Sequence, residues 1–444
     1  MRDLVSQTRI LYLIVFLPLL GRSFFPMVRN TESITIQSSL TDPQIMGVYI
    51  LWGYCLWFLL KHPDNLKLAF APPLWPLTLF VLVATSSIVT VSRAPMYSLW
   101  RTVETCGVLL WGLLVLAQVR HDQNPKALFA SFYSMSMLML LGVVMAALVD
   151  PQHAWMREGS QVDRLDVTAT FLMGANTIGV IAALLSLVML SRFMVLLKFR
   201  YVIGCLLFLA LCYAARSRTG FIVLVLGMLV LVSVLLRMPS RRVAAGTGGS
   251  LLGFLIVGLL AVSPEFTDAI TATFTRGHTE ENIKSLDGRM TIWTEALKGF
   301  EQSPFFGSGY ATYPIKIIGG GHFHNMFIEL VVTTGLLGLV PILIFFSLII
   351  FRLLKLFLLR LNPEPASCIA SLDALLLGTV IIVSEMTTAG AAYYSWQMIG
   401  IVVLAIGLYT SLERITTSDG SDSYVLEGNS LGFVERESMW SRGG

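Results

Sequence analysis

Apolar runs of roughly 15 to 25 residues, long enough for a membrane-crossing helix, recur along nearly the whole chain. Read as helices, they fall near residues 10–25, 46–60, 68–90, 97–117, 127–149, 168–190, 201–216, 219–236, 247–263, 324–354, 368–386 and 391–411. That makes twelve spans. The alternation breaks once, between Pro264 and His322, where one long polar stretch intervenes before the chain turns apolar again. The expected organisation is a membrane bundle of nine spans over 1–263, a large loop over 264–323, three more spans over 324–411, and a flexible tail over 412–444. Inside the loop, Asp287 reads as the N-cap of a helix over Arg289 to Phe300, ended by Pro304, Gly307 and Gly309. The run from Phe323 to Leu354 is too long for one perpendicular helix, and Gly335 and Gly338 mark where close packing or a bend is expected.

Composition agrees with this pattern: of the 444 residues, 55% are hydrophobic and only 13% charged, which fits a polytopic helical membrane protein and no soluble domain of this size. The net charge is only +4, and the basic residues are spread over many connections, so no nucleic-acid surface is expected. Their distribution instead gives orientation. Arg2, Arg9, Lys61, Lys67, Arg120, Lys126, Arg192, Lys198, Arg200, Arg237, Arg241, Arg242, Arg352, Lys355 and Arg360 crowd alternate connections, which makes that side cytoplasmic, together with both termini. The 264–323 loop then faces outward, into the periplasm of a Gram-negative cell. The five cysteines sit in or beside apolar runs and form no disulfide framework. The basic, apolar N-terminus lacks a cleavage site and reads as a first helix.

Candidate chemistry gathers on the outer face. The spans read as nearly free of charge, whereas the long loop carries several Arg, Lys and His residues, a distribution suited to an anionic substrate at the membrane surface. Arg216 and Arg218, in AARSRTGF, occupy a tight connection between two spans. They either snorkel to the interface or clamp a phosphate or diphosphate with their planar forks. Arg289 stands near the start of the loop helix, where the macrodipole disfavours a cation unless an anion binds there; the alternative is a surface pair with Asp287 or Glu295. Trp293, one turn on, either stacks on a sugar or anchors the helix. His322 and His324, in GGGHFHNMFIEL, could suggest a metal pair, but no HExxH, cysteine cluster or spaced carboxylate accompanies them. No metal and no cofactor is expected. A neutral imidazole could instead accept a proton from a hydroxyl, with Asn325 orienting the ring or capping the helix. His153 and His278 lie alone in other outer segments. Arg101, entering the fourth span, either snorkels or faces a polar cavity.

Three motifs then resemble the O-antigen ligase and polymerase superfamily of bacterial envelope glycosyltransferases: SRTG ending at Gly220, DGRMTIW followed by PFFGSGY, and HNMFIELVVTTGLLG. The last is similar to the H-N-x9-G-x-x-G pattern of O-antigen ligases. The resemblance extends up to about Arg360. It implies a GT-C-like all-helical fold and transfer of a finished glycan from undecaprenyl diphosphate to an acceptor sugar hydroxyl, with no metal and no nucleotide sugar. It also implies Arg218, Arg289 and His324 as the catalytic set, with Arg216 beside them. Asp163-Arg164-Leu165-Asp166 lacks a DxD pattern. A ligase acting on lipid A-core is the first expectation and a polymerase of lipid-linked repeat units the second. A lipid-linked oligosaccharide flippase is third, since the sequence shows neither mid-membrane charges nor a repeated half.

Overall fold

The computed structural model describes residues 43–92, 95–122, 125–158, 162–167, 173–237, 289–310, 323, 325–358, 365–387 and 395–425. The chain is a multi-pass helical membrane protein. Its helices are α1 (Pro43–Lys61), α2 (Trp75–Thr90), α3 (Pro95–Asp122), α4 (Pro125–Val149), α5 (Ala175–Leu196), α6 (Arg200–Ala215), α7 (Arg218–Leu236), α8 (Arg289–Gln302), α9 (Met326–Leu358), α10 (Pro365–Thr387) and α11 (Trp396–Val425). The first and ninth expected spans, and Asp287, lie outside the described residues. Every other expected span overlaps a helix. Six described helices are long and apolar enough to cross a membrane, while α6 and the Trp396–Thr410 part of α11 are shorter apolar helices. The expected count of twelve is thus not reached among the described residues.

Several boundaries depart from the expectation for local reasons. The run over 68–90 is not one helix, because Pro72 and Pro73 cannot supply the N–H groups a continuous helix needs. A 3₁₀ helix over Pro63–Phe70 meets α2 at 89° instead. The segment before α5 is partly extended: β1 (Trp155–Glu158) pairs antiparallel with β2 (Val162–Leu165), and Val167 bridges to Met173. A small hairpin therefore interrupts the expected all-α fold, and α5 begins at Ala175 instead of 168. Asp166 accepts the Ala175 N–H at 3.1 Å, which caps α5 with a carboxylate of the D-R-L-D segment. α11 stays helical to Val425, into the stretch read as a flexible tail.

α5 is the central post, packed against α4, α6, α7 and α10. A second group forms where α9 packs against α2, α10 and α11. α10 belongs to both groups. The bundle also buries ionisable groups that the expectation of nearly charge-free spans did not anticipate: Glu104, Glu329, Asp373 and Glu385 are all less than a tenth exposed. Asp373 meets Arg192 of α5 through two parallel bonds of 2.7 Å. Because α10 and α5 would otherwise present bare charges inside the bundle, this bidentate pair ties them together. Arg120 and Arg352 sit over the Tyr409 ring at 5.3 and 4.6 Å from its centroid, and Arg237 over Phe357 at 4.0 Å. These basic side chains share the end of the bundle that also holds Lys61 and Lys198, opposite the turn at Arg216.

Candidate functional site

Four segments far apart in sequence meet at the other end. The first is the turn between α6 and α7. Arg216 adopts a left-handed conformation (φ 45°, ψ 43°) that closes α6, with its N–H donating to Tyr213 O. Ser217 is fully buried; its hydroxyl accepts the Gly220 N–H at 3.1 Å and donates to Asn176 at 3.4 Å. That cap starts α7 at Arg218. A Cβ on Gly220 would come within 2.9 Å of the Gly179 backbone, so only glycine there lets α7 lie this close to α5. The tightness of SRTG thus has a cause: two helices approach backbone to backbone and leave Arg218 as the first residue of one of them.

The second segment is the start of α9. Asn325 accepts from the N–H groups of Phe327 and Ile328 at 3.0 and 3.1 Å, while its amide donates to Met386 O at 3.3 Å. The capping role open to Asn325 is realised. The third is the end of α10, which touches both of the others. Met386 holds Asn325, and Thr387 accepts from Thr219 of the turn at 3.1 Å. The SRTG turn and the HN helix are therefore neighbours through α10.

The fourth is the segment 304–310, PFFGSGY, which docks onto a break in α9. At Gly335 the backbone takes φ 64° and ψ −164°, outside helical geometry and favourable only to glycine. The freed groups find partners in the docked segment: Leu336 and Leu337 donate to Pro304 O and Phe305 O, while Ser308 and Gly309 donate to Val332 O and Thr333 O. The expected bend at Gly335 is present. Tyr310 ends the segment deep between α2 and α3, its N–H on Ser87, its carbonyl on Ser98 and its hydroxyl 2.9 Å from Thr105. Burial pushes its phenol above the usual range, so it stays protonated.

α8 lies over this assembly and ends at Gln302, close to the expected stop at Phe300. Arg289 is its first residue, although the placement of its side chain is outside the described residues, as are His322 and His324. Trp293 donates its indole N–H to Phe323 O at 2.8 Å and packs beside Ala296, Phe323 and Val332. It anchors α8 to the residue next to His324 while remaining partly exposed. Arg101 turns inward: its side chain is 13% exposed and pairs with Glu104 at 2.8 Å. His153 is not alone, since its ring bonds Asp150 at 2.9 Å and holds that carboxyl below the usual range.

The comparisons with known proteins bear on these same segments. Residues 203–343 match the family described as O-antigen ligase. The match covers this stretch and not the rest of the chain. The ligase-family region runs from α6 into α9 and contains the SRTG turn, Arg289, PFFGSGY and the HN-x9-GxxG helix, a narrower extent than the resemblance expected up to Arg360. A shorter likeness links the chain to the exopolysaccharide production protein ExoQ of Rhizobium meliloti (strain 1021), 38% identical over 71 residues. That match covers 13% of this chain and 16% of ExoQ.

Sequence reasoning missed Glu104, Glu329, Glu385 and Tyr310. A signal for the acids was present, because each lies within an apolar run where a carboxylate is rare. What no sequence pattern carried was that Glu329 comes near both Arg101 of α3 and Glu385 of α10.

Proposed function

We propose that this protein is an inverting, metal-independent glycosyltransferase that moves a glycan from undecaprenyl diphosphate to lipid A-core, as an O-antigen ligase. The observation that carries the reading is Arg218 at the first position of α7, in a turn locked by Ser217 and Gly220 beside the capped start of α9. A cation at a helix N-terminus opposes the macrodipole until an anion binds between them. The diphosphate would supply that anion, drawing on the guanidinium and the positive end of the helix dipole together. Arg289, also the first residue of its helix, repeats the arrangement. Arg216 would assist from the turn and Arg101 would line the acceptor side.

In the reaction, Arg218 and Arg289 stabilise the charge that grows on the diphosphate as the anomeric C–O bond breaks. His324 holds or deprotonates the acceptor hydroxyl, which attacks opposite the leaving group and inverts the anomeric centre. Asn325, Trp293 and His322 position that histidine. The basic side chains at the far end of the bundle support a cytoplasmic assignment for that end, an inner-membrane location and a periplasmic site. The likeness to an exopolysaccharide production protein favours a second reading, a polymerase that uses another lipid-linked repeat unit as acceptor. Purified full-length chain offered undecaprenyl-diphosphate-linked glycan with either core oligosaccharide or repeat units alone separates them. Transfer to the core supports the ligase, chain growth from repeat units alone supports the polymerase, and movement of lipid across vesicles without a new glycosidic bond would point to a transporter.

A further inference from the structure

Glu329 lies one helical turn below Asn325, and its N–H donates to Asn325 O at 3.1 Å. The side chain is 1% exposed, and among the described residues neither carboxylate oxygen has a hydrogen-bond partner. An ordinary structural carboxylate in such a place would be paired, because an unpaired buried charge is strongly destabilising. The groups that act on it are few. The Arg101 guanidinium attracts its charge and the Glu385 carboxylate repels it. Arg101 is already bound to Glu104, and the Tyr310 hydroxyl beside them is engaged with Thr105. Among the described residues, no three His, Cys, Asp or Glu side chains converge as metal ligands would.

We propose that Glu329 is the terminal proton acceptor of the transfer reaction, an inference that rests on the glycosyltransferase reading. Each turnover breaks the acceptor O–H bond and the anomeric C–O bond, and forms one glycosidic C–O bond. The electron pair of the broken C–O bond leaves on the diphosphate. The proton of the hydroxyl must go elsewhere, and it comes to rest on the Glu329 carboxylate, which then loses its charge in a place where charge is disfavoured. Arg101 keeps the empty carboxylate tolerable before transfer, and Glu385 favours the protonated form after it. Glu329 does not touch substrate in this arrangement. It is a positioning group for the proton, reached through the start of α9.

The test is the rate of transfer against pH for purified full-length wild type, Glu329→Gln, Glu329→Asp and Glu385→Gln, with undecaprenyl-diphosphate-linked glycan as donor. Loss of the acceptor should lower turnover of Glu329→Gln by about a hundredfold to ten-thousandfold, with little change in donor KM. Glu329→Asp should keep measurable turnover with a displaced acidic limb, and Glu385→Gln, which removes a repelling charge, should move that limb to lower pH. A Glu329→Gln protein with wild-type turnover and an unmoved limb overturns the proposal, because a carboxyl that is neutral throughout is replaced by an amide without loss. Should Glu329→Gln fail to fold, an unshifted limb in both remaining variants overturns it equally. Wild type that forms no glycosidic bond contradicts the glycosyltransferase reading itself, whereas an active wild type with indifferent Glu329 variants removes only this inference.

Discussion

Arg218 owes its position to residues that carry no charge. Ser217 caps α7 from a buried site, Gly220 lets α7 press against Gly179 of α5, and Thr219 reaches Thr387. The arginine is thereby fixed as the first residue of a helix. Lysine in its place would keep the charge but lose the fork. Arg218→Lys is therefore expected to lower transfer by about a hundredfold, the scale of losing one preorganised donor, with normal membrane insertion. Steady-state rates at saturating donor check this, and a variant within a few fold of wild type would remove the bidentate role. At this scale the sequence was informative about cations and blind to acids. Arg101, Arg216, Arg218 and Asn325 could be picked out because each stands in a short motif at the edge of an apolar run. Glu329 gains meaning only from Arg101, which lies on a helix more than two hundred residues earlier, and from Glu385 of α10.

At the level of elements, α9 is two pieces joined at Gly335. The part beyond the break, 336–358, measures about 34 Å at helical rise, enough for the hydrocarbon core. The part before it carries Asn325 and Glu329 at the rim. The joint is closed by PFFGSGY, whose backbone supplies the partners that the broken helix lacks. A side chain at Gly335 would collide with the Phe305 carbonyl and would also force a residue into positive φ. Gly335→Ala is expected to loosen the 304–310 segment and to cost about 1–3 kcal/mol from the backbone conformation alone. A lowered melting temperature in detergent, with faster protease cleavage between α8 and α9, would show it; unchanged values would mean that the docked segment tolerates the displacement. The bend was legible from two glycines in a run too long for one helix. Its partner was not, since the pairing of 304–310 with 332–337 follows from tertiary packing and has no periodic signature.

For the whole molecule, the helices sort their charged groups by end. One end carries the arginines stacked on Tyr409 and Phe357, and the other carries the turn, the cap and the inward-facing Arg101. Between them, the Arg192–Asp373 pair holds α5 against α10, the helix whose far end contacts both site segments. Breaking it leaves an uncompensated buried charge, so Asp373→Ala should destabilise the protein by about 3–5 kcal/mol, while the double change Arg192→Met with Asp373→Leu, which replaces both charges by apolar side chains, should recover much of that. Thermal unfolding of both variants checks the claim, and an equally unstable double variant would argue that the pair does more than fasten two helices. The apolar runs made the helices legible one at a time. They could not tell that Pro72 and Pro73 bend one of them, that a hairpin delays the start of α5, or that α10 brings the SRTG turn to the HN helix.

On the proposed reading, the turn arginine and the loop arginine jointly grip a lipid-linked diphosphate while its glycan is transferred. The most direct measurement is transfer by purified full-length protein from undecaprenyl-diphosphate-linked glycan to an acceptor oligosaccharide, comparing wild type with Arg218→Ala, Arg289→Ala and His324→Ala. A new glycosidic bond is expected with wild type and its loss in each variant, in proteins that insert and melt normally. Undiminished transfer by Arg218→Ala or Arg289→Ala would contradict it.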